Sequence, residues 1–258
     1  MLRKIGLTIF ALLVIAFAGL AIAPPDQLRV AANYAAKMIC SNVVLADRDP
    51  AEVLKVDVQA PGHPLLWLMR FAVDERGDYT VVRTGLFGFI GKGISFGNRS
   101  RGCTSVSDPR LLSIASAAPA YAPAQIQLPD APWPQGNNVV PPINLELEAV
   151  LNDAQLSGEG MRAIVIAKDG RIIAERYAEG FDQDTPLLGW SMTKTVTGAL
   201  VGAAMHQGYL ALDDQIALDE WSDDERSAIR LYDLMGMASD LTWNEGYGSV
   251  SDVTRMLY

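Results

Sequence analysis

Histidine is almost absent from this chain of 258 residues. Only His63 and His206 occur, and neither stands with cysteine or acidic residues at metal-ligand spacing, which argues against a zinc site. Basic clusters are missing too. Twenty-one Lys and Arg against 30 Asp and Glu leave a formal charge of −9, and without a basic stripe the chain is not built for nucleic acid. A phosphate-cradling Walker loop is also lacking, because Gly91-Lys92-Gly93 has neither the following Ser/Thr nor the upstream glycine. No metal and no cofactor are therefore expected. Cysteine is limited to Cys40 and Cys103.

What is present begins at the N-terminus. Arg3 and Lys4 precede an uncharged apolar run from Ile5 to Ala23. At about 19 residues it exceeds the usual signal-peptide core of about 7–15 and approaches the length that spans a bilayer. An A-x-A site exists at Ala21-Ile22-Ala23, but Pro24 and Pro25 follow it, an awkward context for cleavage. The pattern favours an uncleaved anchor through residues 5–23 over a cleaved signal peptide. The positive-inside rule then exports everything after Pro24. Export removes the reducing environment, so Cys40 and Cys103 are expected to pair, the alternative being two buried thiols. That bond closes a loop of about 60 residues, worth roughly 4 kcal/mol in the chain-entropy model.

Helical spacing runs from Asp26 to about Cys40, and Asp49-Pro50 reads as a helix start with Pro50 near N1. Leu65–Val73 and Tyr79–Thr84 suggest a hairpin around Asp74–Asp78, followed by a Gly-rich stretch from Gly85 to Gly97. Ala115–Pro142 carries seven prolines and almost no charge, which favours an extended connector. Beyond it, Leu145–Ala154 reads as a helix. Arg162–Lys168 and Arg171–Tyr177 read as strands joined by Asp169-Gly170, a type I′ turn signal. A helix over Ser191–Gln207 is expected to bury Val196, Leu200, Ala203 and Ala204 and to stop at Gly208. Domain boundaries follow: 1–23 an anchor, 24–114 a small module, 115–142 a linker, 143–258 a further domain.

Ser191-Met192-Thr193-Lys194 heads that last helix. Residues at i and i+3 share a helix face, so hydroxyl and amine can meet. Serine becomes a nucleophile when a neighbouring base takes its proton, and lysine is such a base only when neutral. The spacing alone proves little, since S-x-x-K arises roughly once by chance in a chain this long. A Ser-His-Asp triad fits worse. The second glycine of G-x-S-x-G is missing, and His206 lies some 22 Å up the same helix, so it reads as a helix-surface or interface residue. His63, in Pro61-Gly62-His63-Pro64, reads as a turn residue.

The context of the tetrad carries more. A hairpin precedes Gly189-Trp190-Ser191-Met192-Thr193-Lys194-Thr195, and the helix ends in Gln207-Gly208-Tyr209-Leu210-Ala211-Leu212-Asp213-Asp214. Ile229–Met235 follows, then Met237-Ala238-Ser239-Asp240-Leu241-Thr242-Trp243 and Trp243-Asn244-Glu245-Gly246-Tyr247. In this order the segments resemble the serine beta-lactamase superfamily, in its class C and esterase-like, 6-aminohexanoate-dimer hydrolase-like branch. Asp240 stands where that pattern usually has glycine. The resemblance covers roughly Ala163 to Tyr258. It implies an α+β fold, the α/β sandwich of the beta-lactamase/transpeptidase type. The anchor and a small mixed α/β module would precede it.

Carried over by position, Ser191 is the acylated nucleophile, with its backbone N–H as one oxyanion donor, and Lys194 is the proton acceptor. Tyr247 matches a substrate-contacting loop tyrosine, or else simply packs on its loop. Trp190 and Trp243 shape or pack the site and do no chemistry. The family also needs a later Tyr-x-Asn/Ser and a Lys/His-Ser/Thr-Gly strand. Tyr247-Gly248-Ser249 has the first set of letters but falls too early, and the second set does not occur, so the domain reads as C-terminally truncated and inactive or nearly so by itself. The expected activity of the complete protein is hydrolysis of a small-molecule amide or ester at the periplasmic face of a bacterial inner membrane. Rival readings are an anchored binding or scaffold module, and a hydrolase of peptidoglycan peptides of the penicillin-binding type.

Overall fold

A computed structural model describes residues 2–60, 62–106, 110, 128–139, 144–158, 160–247 and 250–258. The chain divides into two compact units, Met1–Pro186 with Leu257–Tyr258, and Leu187–Met256. Most of the Ala115–Pro142 connector, and Gly248 and Ser249 after Tyr247, lie outside the described residues.

The first unit opens with helix α1 (Leu2–Ile22). Its stretch Ile5–Ile22 is long and apolar enough to cross a membrane, and none of its described side chains is buried by the rest of the chain. Pro24 and Pro25 end α1, since proline lacks the amide that would continue it. Helix α2 (Asp26–Ala46) follows and ends at Asp47, whose left-handed backbone (φ 52°) lets its amide approach the Asn42 carbonyl. Asp49 caps α3 (Pro50–Val53), accepting from the amides of Ala51 and Glu52, with Pro50 at the first helical position as expected. A π-helical turn, Leu54–Gln59, continues it. Leu65, read as the start of a strand, lies instead in a 3-10 turn over Pro64–Leu68, whose N-cap is His63; its Nδ1 accepts from the Leu65 amide at 3.1 Å.

Strands β1 (Met69–Arg76), β2 (Tyr79–Leu86), β3 (Ile90–Asn98) and β4 (Gly102–Ser105) form an antiparallel meander in that order. Strand β3 corrects the reading of Gly85–Gly97 as a bare Gly-rich stretch. Gly91 and Gly93 are there for contact with α2, and Gly97 for contact with β4. A Cβ on Gly93 would stand 2.3 Å from the Ala32 carbonyl carbon, and one on Gly91 would stand 2.9 Å from Leu28 Cβ. The facing side of α2 is correspondingly small, with Ala32, Ala35 and Ala36 fully buried. Small residues on both surfaces let helix and strand backbones approach closely. Ile39, Val53, Val58, Met69, Val81, Val82 and Ile90 fill the core, each worth roughly 1.5–3 kcal/mol of transfer free energy.

Cys40 and Cys103 form a disulfide with Cα atoms 6.0 Å apart, fastening α2 to the edge strand β4. Polar bonds cross the same interface. Lys37 Nζ donates to the Cys103 carbonyl, and Asn33 Oδ1 accepts from the Ile94 amide at 3.1 Å. Burial pulls the Lys37 amine below the usual lysine range.

Later in the same unit, the expected Leu145–Ala154 helix is broken at Asp153 into α4 (Leu145–Asn152) and α5 (Ala154–Ser157), because the Asp153 carboxylate caps the second piece at the Gln155 amide. Strands β5 (Ala163–Lys168) and β6 (Arg171–Tyr177) pair through Asp169 (φ 51°) and Gly170 (φ 69°), the two left-handed residues a type I′ turn requires. Arg162, just before β5, and Phe181, after β6, return to the α3 region. Asp57 receives Arg48 Nη2 at 2.8 Å on one oxygen, poorly aligned for a hydrogen bond, and Arg162 Nη2 at 3.2 Å on the other. Both guanidinium carbons lie 5.0 Å from the centre of the Phe181 ring.

Candidate functional site

The second unit contains the tetrad. Gly189 leads into a 3-10 turn, Trp190–Met192, which passes directly into helix α6 (Thr193–His206). Ser191 therefore sits on the tight turn, and Lys194 in the first turn of α6. Lys194 Nζ and Ser191 Oγ are 3.2 Å apart, within hydrogen-bond reach. The three-residue spacing delivers this contact as expected, although a 3-10 turn rather than α-helix brings the hydroxyl round.

Trp190 departs from what the sequence suggested. Its φ of 44° puts a bulky residue in the left-handed region immediately before Ser191. Such a backbone is costly for tryptophan and persists only where its surroundings hold it. Nothing in the residue types announced it, and Gly189, the residue that would have taken it most readily, lies one place too early.

The far end of α6 follows expectation closely. Gly208 (φ 77°) is the left-handed residue, its amide reaches Met205 O at 3.0 Å, and the Tyr209 amide reaches Ala204 O at 2.9 Å. These are the paired bonds of a Schellman motif. His206 is exposed in the last turn, remote from Ser191 along the helix.

The flank of α6 does not follow expectation. Val196 and Leu200 are 59% and 66% exposed, Ala203 is exposed, and Ala204 is half-buried. Periodicity showed correctly that these residues share a face, but that face finds no cover among the described residues. Ser191 and Lys194 are exposed as well, so water reaches both.

Beyond Gly208 the chain folds back on itself. The Ile216 amide donates to Ile229 O, Leu231 to Asp214 O and Tyr232 to Leu212 O, all at 2.8–2.9 Å. Arg230 bridges Asp213 at 3.1 Å and Asp233 at 3.2 Å, and the latter contact holds the Asp233 carboxyl below the usual carboxylate range. Helix α7 (Leu231–Met235) starts there. Asp240, where the resemblance calls for glycine, has φ 59°. It keeps the left-handed backbone, which aspartate tolerates better than most residues. The loop carrying Trp243 and Tyr247 is tied to helix α8 (Asp252–Leu257) by the Asn244 amide on Asp252 Oδ2 at 2.9 Å. Tyr247 is exposed and, among the described residues, makes no hydrogen bond to Ser191 or Lys194.

The structure thus brings Ser191 to Lys194 and Cys40 to Cys103, and leaves Tyr247 apart in its loop. A hydroxyl within hydrogen-bond reach of an amine is the arrangement that a nucleophile–base pair requires. Residues 154–255 match the family model described as Beta-lactamase, which supports a serine hydrolase-type fold of the serine beta-lactamase superfamily for that segment. Neither the comparison with curated proteins nor that with solved structures returns a match.

Proposed function

We propose that the chain carries the nucleophile-bearing side of a membrane-anchored serine hydrolase of the beta-lactamase-related type, acting on a small-molecule amide or ester. The observation that carries this reading is the 3.2 Å separation of Lys194 Nζ and Ser191 Oγ. With Lys194 neutral, its amine takes the Ser191 proton as Oγ bonds to the carbonyl carbon, and the Ser191 backbone N–H faces the developing oxyanion. Collapse breaks the bond to the amine or alcohol, which leaves with the proton from Lys194. Water then attacks the acyl-enzyme by the same route, restoring the Ser191 hydroxyl and releasing the acid. No cofactor enters these steps.

Exposure of Ser191, Lys194, Val196 and Leu200 bears on completeness. A lysine base works best where water is excluded, and an apolar helix face needs cover. A further segment carrying the second oxyanion donor and a Tyr-x-Asn/Ser motif would supply both. The test is acylation of the complete open reading frame, in membranes, by a fluorophosphonate probe. Labelling is expected, and Ser191→Ala is expected to abolish it; label that survives this substitution overturns the assignment. The same exposure favours a second reading, an anchored binding module without chemistry. Absence of any Ser191-dependent acylation in the complete protein would select it.

The anchor reading of α1 belongs to this proposal. Its support is an unburied 18-residue apolar stretch at the N-terminus. It orients the remainder to the periplasm, the alternative being release after signal cleavage.

A further inference from the structure

The turn between β2 and β3 is aromatic where a water-facing turn would be polar. Phe87 and Phe89 flank Gly88 and are 46% and 47% exposed. Phe87 holds a left-handed backbone (φ 54°), a conformation it keeps at a cost while its ring remains outside the core. Beside them lie Trp67 and Leu68, also exposed. The Phe87 amide donates to Leu68 O at 2.9 Å, which joins the two segments into one patch. The Trp67 indole N–H is already spent on the Gln59 carbonyl at 2.9 Å, so its exposed ring face is free for apolar contact.

The patch is continuous with α1. The ring of Phe17 lies 6.4 Å from that of Phe87 and 5.7 Å from that of Phe89, centre to centre. Phe17 is inside the apolar stretch Ile5–Ile22, five residues before its end. At 1.5 Å per residue that is about 8 Å along the helix from Ile22. Whatever medium surrounds Phe17 therefore also meets Phe87 and Phe89.

Polarity along the β1–β2 hairpin follows the same axis. Its other end, Asp74-Glu75-Arg76-Gly77-Asp78, is charged, and an eight-residue β2 separates the two ends by on the order of 25 Å. Near the aromatic end, Arg70 has its Cβ 3.6 Å from where a Cβ on Gly88 would lie, while Arg29 and Lys92 adjoin the contacting Leu28 and Gly91; all three are exposed, against one acid, Asp26.

From this continuity we infer that the Phe87–Phe89 turn, with Trp67 and Leu68, is a second membrane contact, seated in the acyl–headgroup boundary of the bilayer that α1 crosses. The occupant of the patch is lipid. Its depth matches the roughly 5–10 Å to which interfacial apolar surfaces sink, and the neighbouring basic side chains meet phosphate headgroups. The small module then stands on the membrane at two points, α1 and the turn, instead of swinging on one helix. This rests on the reading of α1 as an anchor.

Spin labels on the full chain test it, in vesicles of phosphatidylcholine and phosphatidylglycerol. Both native cysteines are in the disulfide, so a nitroxide goes to the introduced thiol of Phe89→Cys, Trp67→Cys, Ile15→Cys or Asp78→Cys, with the intact Cys40–Cys103 bond reporting the fold. At positions 89 and 67, collisions with oxygen should exceed those with a water-soluble nickel chelate, as at position 15. Position 78 should show the reverse, with a ratio several-fold lower. If 89 and 67 read like 78 while 15 reads as lipid, the anchor stands and the second contact is wrong. If 15 also reads as water, the anchor reading fails and the inference falls with it.

Discussion

Tyr177 holds its proton harder than an ordinary phenol. Burial in β6 raises its pKa most, and the Glu175 carboxylate, which accepts its O–H at 2.9 Å, raises it further, to about 12. Burial, then the charge of Asp57, shifts Tyr34 in the same direction. The folded state therefore binds these protons more tightly than the unfolded chain. Their contribution to stability is complete below pH 10 and is lost as pH rises toward about 12. An alkaline titration followed at the phenolate absorbance band should show late-ionising tyrosines, and Tyr177→Phe should remove one of them. A late fraction unchanged by Tyr177→Phe would mean that burial beside Glu175 does not delay this phenol. At this scale the Ser191–Lys194 pair was legible, because a three-residue spacing at a helix start fixes which side chains meet. The left-handed Trp190 was not, since residue identity says nothing of a conformation imposed by the chain around it.

Among the elements, the contact between α2 and β3 shows where pattern reading stops. Alanine-rich α2 announced itself through its length and spacing, and the Asp169-Gly170 turn through the two positive φ angles that it demands. Strand β3 stayed hidden because its glycines weigh against strand when each residue is judged alone; the reason for Gly93 and Gly91 lies across the interface, in Ala32 and Leu28. Gly93→Ala should push α2 off the sheet. Overpacking of this kind costs about 1–3 kcal/mol, and a Cβ 2.3 Å from backbone carbon belongs at the upper end. Urea unfolding should show a lower midpoint at unchanged slope. An unchanged midpoint would mean that the helix yields freely. Helix α6 teaches the complementary lesson: the period of Val196 and Leu200 identifies a face without saying what covers it.

Across the first unit, segments more than a hundred residues apart in sequence meet at Asp57. Arg48 is nearly buried there, Arg162 and Asp57 are largely so, and Phe181 lies within reach of both guanidiniums. Phe181 stands ten residues before Ser191, on the chain that leads to it. No periodicity or motif marks such a junction, since its members come from four separate stretches of the chain. Removing the carboxylate leaves the largely buried Arg162 without its acid and Arg48 with only the half-exposed Glu52. Asp57→Ala should cost about 3 kcal/mol or more, as for other broken buried pairs. Faster amide exchange over Ala178–Pro186 should accompany it. Arg226→Ala, at the exposed Asp224 pair, should change neither.

The Cys40–Cys103 bond turns residues 40–103 into a covalent ring, with α1 on the chain that enters it at Cys40 and Ser191 on the chain that continues after Cys103. A protease that nicks any peptide bond inside that ring, the exposed Gly77-Asp78 turn included, opens it without releasing either arm. Ser191 would stay tethered to α1 until a reductant arrived. A cut in the chain after the ring, between Cys103 and Arg162, would break the covalent link and leave the segment held by noncovalent contacts such as Arg162–Asp57. In a compartment with proteases and no reductant, only cuts outside residues 40–103 therefore break the covalent link between Ser191 and α1.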